Sequence, residues 1–198
     1  LLLVVGFGRV PAKLAERIPI GLALTLASSD LSPVDRGQAN RLAAQGLVTW
    51  INFPTLPRPR PIMQVPSCSV DQSPVPLDGT VAVDELAVDA WREIKGKMIA
   101  SSIMRVVTRV VAGEVANRAT GGGTLGFLAG LGTQIAMTAA DTPDTRSWST
   151  LPARIAIARI RVPPGQHVVD LAVSGARKRQ MVDLRPGGWA VVNLTVLR

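Results

Sequence analysis

The chain is poor in the side chains that perform most protein chemistry. Its 198 residues include one cysteine, Cys68, and one histidine, His167. A single thiol cannot form an internal disulfide, and one Cys with one His supplies too few ligands for a zinc site. A Cys–His or Ser–His–Asp catalytic site would require the fold to bring distant residues together. We therefore expect a structural Cys68, no metal, no cofactor and no enzymatic activity.

Aromatic residues are also scarce, with no tyrosine, three phenylalanines and four tryptophans. Without an aromatic stacking platform or a recognition helix, the net charge of +8 does not by itself indicate nucleic-acid binding. A dinucleotide site is not indicated either, because Gly6-Phe-Gly8 lacks the third glycine and a following helix. We expect no nucleic-acid partner.

Apolar residues, in contrast, are plentiful. They make up 47% of the chain, and the mean hydropathy is +0.27. This exceeds what a soluble monomer of this size needs for its core, so part of the surface is expected to meet other proteins. The composition therefore favours a homo-oligomer or a subunit of a larger complex.

Residues 1–83 are expected to supply N-terminal strands and a proline-rich strap. The apolar run at residues 1–5 has no basic segment before it and no small-residue cleavage site after it, so it predicts a buried strand and not a signal peptide. Any targeting signal is expected upstream. Strands are predicted at residues 2–7, 12–19, 47–53 and 70–83. Residues 1–80 otherwise contain loops by this interpretation, with one helical turn at residues 41–45, and the prolines at 54–66 force an extended path.

Residues 84–150 predict a helical hairpin inserted between two strand regions. Asp84 and Glu85 precede the apolar run, where the positive end of a helix dipole favours acids. Two apolar stripes follow at helical spacing. The first is Leu86, Ala90, Ile94 and Met98, and the second is Ile99, Ile103, Val107, Val110, Val111 and Val115. The change of stripe predicts a helix that changes packing partner along its length, and three consecutive glycines at 121–123 predict the hairpin turn.

The second helix of the hairpin is expected to pack through small residues. No charge occurs from residue 119 to residue 140, and Gly122, Gly126 and Gly130 repeat every four residues, with Ala136 on an adjacent row. Small residues at this spacing let two helix backbones approach closely, within the chain or between subunits. The length would also allow a membrane span. Charged residues within the first helix argue against a lipid-facing hairpin, so we expect proximity to a membrane without a transmembrane span.

Residues 151–198 predict antiparallel strands that complete the β domain. Turns are indicated at Pro163-Pro-Gly165, Ser174-Gly175 and Arg185-Pro-Gly-Gly188, and apolar residues alternate between them. Such a meander needs a second sheet to cover it, which the early strands can supply. The predicted fold class is α+β, an antiparallel β-sandwich-like domain with an inserted α-helical hairpin.

Positive charge is concentrated in this last segment. Residues 151–198 contain eight basic and two acidic residues, so they contribute +6 of the net +8. The candidate anion-binding residues are Arg177, Lys178, Arg179 and Arg185, and a solvated basic loop is the alternative.

One segment resembles a known family. Asp144-Thr-Arg-Ser-Trp-Ser-Thr-Leu-Pro-Ala153, followed by Pro163-Pro-Gly165, is similar to the C-terminal region of an uncharacterised family of bacterial cell-envelope proteins. Arg9-Val-Pro-Ala-Lys13 and Arg17-Ile-Pro-Ile20 add to the likeness. Members are often lipoproteins with N-terminal helical repeats. The resemblance implies a periplasm-facing, outer-membrane-associated protein, and it implies no activity.

Four residues of this motif are expected to be structural: Asp144, Arg146, Trp148 and Pro152. We expect Trp148 to be buried where the hairpin returns to the sheet, and Arg146 to bond to Asp144 or to nearby backbone. Residues 141–146 are expected to form a hydrogen-bonded turn.

Three functional hypotheses follow. The first is a non-enzymatic structural or assembly subunit of the bacterial envelope. The second is a binding module for an anionic envelope polymer, peptidoglycan or lipopolysaccharide. A hydrolase is the third, and it would need His167 beside an acid and a hydroxyl.

Overall fold

The computed structural model describes residues 1–119 and 142–198, which form two compact units. The β unit consists of Leu1–Ala12, Pro57–Asp89 and Ser147–Arg198. The helical unit consists of Lys13–Leu56 and Ala90–Arg146. Each unit combines separate stretches of sequence, so the compact units do not coincide with the consecutive segments 1–83, 84–150 and 151–198.

Strands and helices alternate irregularly along the described residues. In chain order they are β1 (Leu2–Phe7), β2 (Leu14–Pro19), α1 (Ile20–Leu26), α2 (Pro33–Ala44), β3 (Trp50–Thr55), β4 (Ser67–Val70), β5 (Ser73–Val75), β6 (Gly79–Ala82), α3 (Val83–Ala119), β7 (Arg154–Arg159), β8 (Gly165–Val173), β9 (Ala176–Leu184) and β10 (Val191–Val196). The chain is thus an α+β protein, as predicted.

The β unit contains two four-stranded sheets, with strand orders β10-β1-β7-β6 and β5-β4-β8-β9. β1 pairs in parallel with β10 and antiparallel with β7. The prediction of purely antiparallel strands is therefore wrong at β1–β10. The predicted C-terminal meander is also wrong, because β7 and β10 flank β1 in one sheet while β8 and β9 pair in the other. After β7 the chain changes sheets twice, through the short connections 160–164 and 185–190.

Buried apolar residues from both sheets of the β unit form one cluster. β1 contributes Leu3, Val5 and Phe7, and β8 contributes Val169 and Leu171. The alternation of β8 puts every second side chain into this cluster, which is what a strand with one covered face requires. The prediction that apolar residues alternate between the turns at 163–165 and 174–175 is therefore correct. Cys68 is a buried free thiol in the same cluster, and burial raises its pKa.

In the helical unit, the sequence interpretation missed helix α1 and predicted only the last turn of helix α2, at residues 41–45. Within residues 1–119 and 142–198, β2 pairs only with β3, and α1 and α2 lie between them in the chain. Ser32 caps α2, since its hydroxyl accepts a hydrogen bond from the Asp35 N–H at 3.1 Å, and Pro33 follows as the first helical residue. A Ser-Pro pair is as typical of a turn as of a helix start, so it does not distinguish the two structures by itself.

The first part of helix α3 buries a different face from the one that the sequence predicted. Leu86 is 60% exposed, whereas Val88 and Trp91 are buried, so the first stripe is wrong. Asp84, Val88 and Trp91 are buried and share one face at helical spacing, and Asp84 pairs with Arg154. The second stripe is largely correct. Its buried members are Ile99, Ile103, Val107 and Val110, while Val115 is exposed.

The second helix of the predicted hairpin lies outside the described residues. The packing predictions for Gly122, Gly126, Gly130 and Ala136 fall on the same stretch. In the two described ranges, no helix combines the length and the apolar character needed to cross a membrane.

Candidate anion-binding groove

The four basic residues singled out in the sequence do not form one surface. Arg177 and Arg179 are exposed on one face of β9, and Arg179 Nε lies 3.8 Å from Asp170 Oδ2. Lys178 points to the opposite face, where its amine donates to the Asn193 carbonyl at 3.0 Å. Arg185 follows the other end of β9, roughly 25 Å along the strand from Arg177. A binding site containing all four residues is therefore excluded.

Arg185 instead lines a groove at one end of the β unit. The groove has a volume of about 670 Å³. It lies where β7 and β9 end and β8 and β10 begin, and the two connections between sheets form much of its wall. We call it the arginine groove, after Arg159, Arg161 and Arg185 in its lining.

The connection from β9 to β10 has a defined turn geometry. The Gly188 N–H donates to the Arg185 carbonyl at 2.9 Å, which closes a four-residue turn. Pro186 occupies its second position, and Gly187, with φ of 71°, occupies its third. These are the residues that a type II turn favours, because the third position requires a positive φ. Arg185 lies before this turn and Trp189 after it, and both residues line the groove.

The charged residues that line the arginine groove are all cationic. No carboxylate belongs to its lining. In residues 1–119 and 142–198, the guanidinium groups of Arg159, Arg161 and Arg185 make no hydrogen bond or ion pair, and all three residues are exposed. The nearby Asp78 carboxylate accepts from the backbone N–H of Arg159 at 3.0 Å. The groove therefore has a positive potential that attracts anions.

His167 lies below one wall of the groove and is fully hydrogen-bonded. Its Nδ1 is 2.7 Å from Asp71 Oδ2, and its Nε2 is 2.8 Å from the carbonyl oxygen of Pro163, a lining residue. Both partners are acceptors, so both ring nitrogens donate only when the imidazole is protonated. The bond to Asp71, and next the bond to Pro163, raise the pKa of His167.

Asp71 sits in the tight turn between β4 and β5. Asp71 and Gln72 have φ of 49° and 67°, as the two central residues of a type I′ hairpin turn require. The Asp71 carboxylate also accepts from the Val168 N–H at 2.8 Å. The bonds from His167 and then from Val168 lower the pKa of Asp71. The acid–histidine pair therefore holds a strained turn against β8.

The motif that carries the family resemblance is built from local hydrogen bonds. Arg146 Nε and Nη2 donate to Asp144 at 2.9 and 2.8 Å, and the Arg146 backbone N–H donates to the same carboxylate, so the expected Asp144–Arg146 bond is present. These bonds lower the pKa of Asp144. Trp148 is 72% exposed, so the prediction that it is buried is wrong. Its indole donates to the Thr150 hydroxyl at 2.7 Å, a local partner that does not require burial.

Pro152 has a packing role. It lies against Gly6 of β1, where an added Cβ would come within 3.2 Å of the proline ring. The neighbouring Arg154 pairs with Asp84, which is 1% exposed, and donates to Glu85 at 2.7 Å. The backbone N–H of Glu85 also donates to Asp84 at 2.8 Å. This buried ion pair joins the start of α3 to β7.

Sequence reasoning missed Arg159, Arg161 and Trp189 as site residues. The available signals were the +6 charge of residues 151–198 and the two Pro-Gly turns at 163–165 and 185–188. Each turn has an arginine close to it. Only the return of the chain from one sheet to the other brings the two turns together.

Comparison of this chain with known protein families, curated proteins and solved structures finds no match.

Proposed function

We propose that this chain is a non-enzymatic protein of the bacterial cell envelope that binds an anionic envelope polymer, peptidoglycan or lipopolysaccharide, in the arginine groove. The supporting observation is that three arginine residues, and no residue with a carboxylate, line the same groove. The periplasmic, outer-membrane-associated location rests on the resemblance at residues 144–153.

The chemistry of arginine favours this class of ligand. A guanidinium is planar, always charged and matched to carboxylate or phosphate oxygens through paired N–H donors. Arg161 belongs to the β7–β8 connection and Arg185 to the β9–β10 connection, so a ligand between them is held from two sides. Since these arginines make no internal ion pair in the described part of the chain, binding an anion requires no internal bond to break.

The surroundings of His167 support a non-enzymatic function. A general base needs a free ring nitrogen within reach of a substrate proton. The two nitrogens of His167 are held by Asp71 and by the Pro163 carbonyl, and no hydroxyl takes part in these bonds. The hydrolase hypothesis therefore loses the feature that it needed.

The proposal also gives the two sheets a role. The shared apolar cluster of the sheets β10-β1-β7-β6 and β5-β4-β8-β9 is consistent with a β-sandwich-like scaffold that presents the groove at one end. In this proposal residues 84–150 form the inserted helical hairpin, with a small-residue row for helix or subunit contacts.

A structural or assembly subunit is the second candidate. Exposed apolar side chains on the proline-rich segment favour it, because Met63 and Val65 are 91% and 87% exposed. Large apolar residues in that position are typical of contacts with other proteins. The native mass of the purified protein tests homo-oligomerisation, and a monomeric mass contradicts that part of the candidate.

Binding to isolated peptidoglycan sacculi and to lipopolysaccharide tests the main proposal. We expect the double variant Arg161→Ala/Arg185→Ala to bind its polymer about tenfold to a hundredfold more weakly, since two charge-assisted contacts are removed. The matched control is Arg177→Ala/Arg179→Ala, which removes the same charge from exposed positions outside the groove. The control should bind like wild type, and rising salt should weaken binding.

Two results would contradict the proposal. Equal losses in both double variants would mean that net charge, and not the groove, attracts the polymer. Failure of the wild-type protein to bind either polymer at low salt would remove the proposed function altogether.

A further inference from the structure

Trp189 is an exposed aromatic residue on a well-defined backbone. Its side chain is 79% exposed and lies in the lining of the arginine groove. The type II turn precedes it, and the Ala190 carbonyl after it accepts from the Leu2 N–H at 2.9 Å. Hydrogen bonds on both sides thus fix the backbone that presents the indole. An exposed indole on such a backbone is suited to be a ligand platform, because one side chain offers a large flat apolar face.

The rest of the groove combines apolar and cationic groups. Pro163 and Pro164 line it from the other connection, together with Arg161, and Arg185 lies on the side of Trp189. A polyanion without a ring would not stack on the indole, and a neutral sugar would not form ion pairs with the arginines. A sugar ring with an acidic substituent uses both, since its C–H face stacks on an indole while its carboxylate or phosphate pairs with a guanidinium.

The size of the groove agrees with this type of ligand. Its volume of about 670 Å³ lies within the range of small-molecule binding sites. We propose that the arginine groove recognises an acidic saccharide, with a pyranose ring stacked on Trp189 and its carboxylate or phosphate bound by Arg161 and Arg185. This inference rests on the proposed anionic-polymer function and names the unit of the polymer that the groove contacts.

Three probes of similar length separate the contributions of ring and charge. They are an oligosaccharide of uronic acids, the same oligosaccharide with its carboxylates reduced to alcohols, and inorganic polyphosphate. Equilibrium binding of each probe is measured for wild type, Trp189→Ala and Arg161→Ala/Arg185→Ala. Trp148→Ala is the matched control, because Trp148 is 72% exposed and lies outside the lining of the groove. Circular dichroism verifies that each variant is folded.

We expect Trp189→Ala to weaken binding of the uronic acid oligomer by about tenfold and to leave polyphosphate binding unchanged. Reduction of the carboxylates should weaken binding to the wild-type protein at least as much. The arginine double variant should lose both anionic probes, and Trp148→Ala should bind like wild type.

The outcomes distinguish the inference from the proposed function. Two results would contradict ring recognition: Trp189→Ala binds the uronic acid oligomer as wild type does, or polyphosphate is the only probe that binds. If binding in either case still depends on the two arginines, anion binding by the groove stands. If the arginine double variant retains binding of both anionic probes, the groove is not the anion site and both proposals fall.

Discussion

Single charged residues of the β unit lie in two contrasting environments. Asp84 and Arg154 pair inside the protein, whereas Arg159, Arg161 and Arg185 are exposed and line a groove without a carboxylate. Removing one member of a buried pair leaves the other charge buried without its partner. Removing an exposed arginine leaves no buried charge unpaired, because the side chain is solvated by water. The same substitution is therefore expected to have different effects at the two kinds of position.

The first prediction concerns the buried pair. Arg154→Ala should lower the free energy of unfolding by about 3 kcal/mol, because Asp84 would stay buried without its cation. Chemical denaturation measures this effect. Arg161→Ala, which removes an exposed guanidinium, should change stability by less than about 0.5 kcal/mol. Adding Asp84→Ala to Arg154→Ala should restore part of the lost stability. If Arg154→Ala, Arg161→Ala and the double variant are equally stable, Asp84 and Arg154 do not form a stabilising buried pair.

The second prediction concerns pH and His167. The pKa of His167 is raised in the folded protein, so its stabilising contribution is complete below the unfolded pKa of about 6.5 and is lost as the pH rises through the folded pKa. The pKa of Asp71 is lowered, so its contribution is complete above about 3.9 and is lost as the pH falls through its folded pKa. The pair should stabilise the β unit most between about pH 4 and 6.5.

Denaturation midpoints of wild type and His167→Gln, measured from about pH 5 to 9, test this prediction. The stability difference between them should shrink as the pH rises, because wild type loses the imidazolium and the variant has none to lose. A difference that stays constant over this range would mean that His167 does not titrate with folding.

The connection between strands β9 and β10 depends on the positive φ of one residue, Gly187. Gly187 has φ of 71°, which an L side chain adopts at a cost of about 1–2 kcal/mol. The glycine therefore fixes the turn that separates Arg185 from Trp189. Gly37 in α2 is different, since its φ is not positive and an added Cβ there meets nothing within 4 Å.

Alanine substitutions at the two glycines should have opposite signs. Gly187→Ala should destabilise the protein by about 1 kcal/mol through the strained φ. Gly37→Ala should stabilise it by up to about 1 kcal/mol, because alanine favours a helix interior. Chemical denaturation of both variants provides the comparison. A stabilising Gly187→Ala would show that the turn does not need its positive φ.

Elements were predictable where a single physical signal dominated. The bounds of β1 agree with the prediction, and the start of α3 is within one residue of Asp84. Helix α1 was missed because a seven-residue apolar run fits a buried helix as well as a strand. The exposure of Trp148 was unpredictable because its indole is satisfied by Thr150, two residues away.

At the scale of the whole molecule, long-range pairing limited what could be inferred. The mixed α+β class follows from local patterns, but the pairing of β1 with β10 joins strands from opposite parts of the chain. The arginine groove depends on the same topology, because its two connections are separated in sequence by β8 and β9. The sequence therefore predicted the basic character of residues 151–198 and missed which of these arginines meet.

The pairing of β1 with β10 also has a consequence for synthesis. From Phe7 to Val191 the ribosome adds 184 residues, which takes roughly 10–40 s at ordinary rates of elongation. During this time the strand with Leu3, Val5 and Phe7 lacks β10, one of its two neighbours in the finished sheet, and it is available to other nascent chains or to chaperones. The β unit therefore completes its fold late, and a ribosome that stalls between residues 159 and 191 leaves β1 paired with β7 on one side and with an open, aggregation-prone edge on the other.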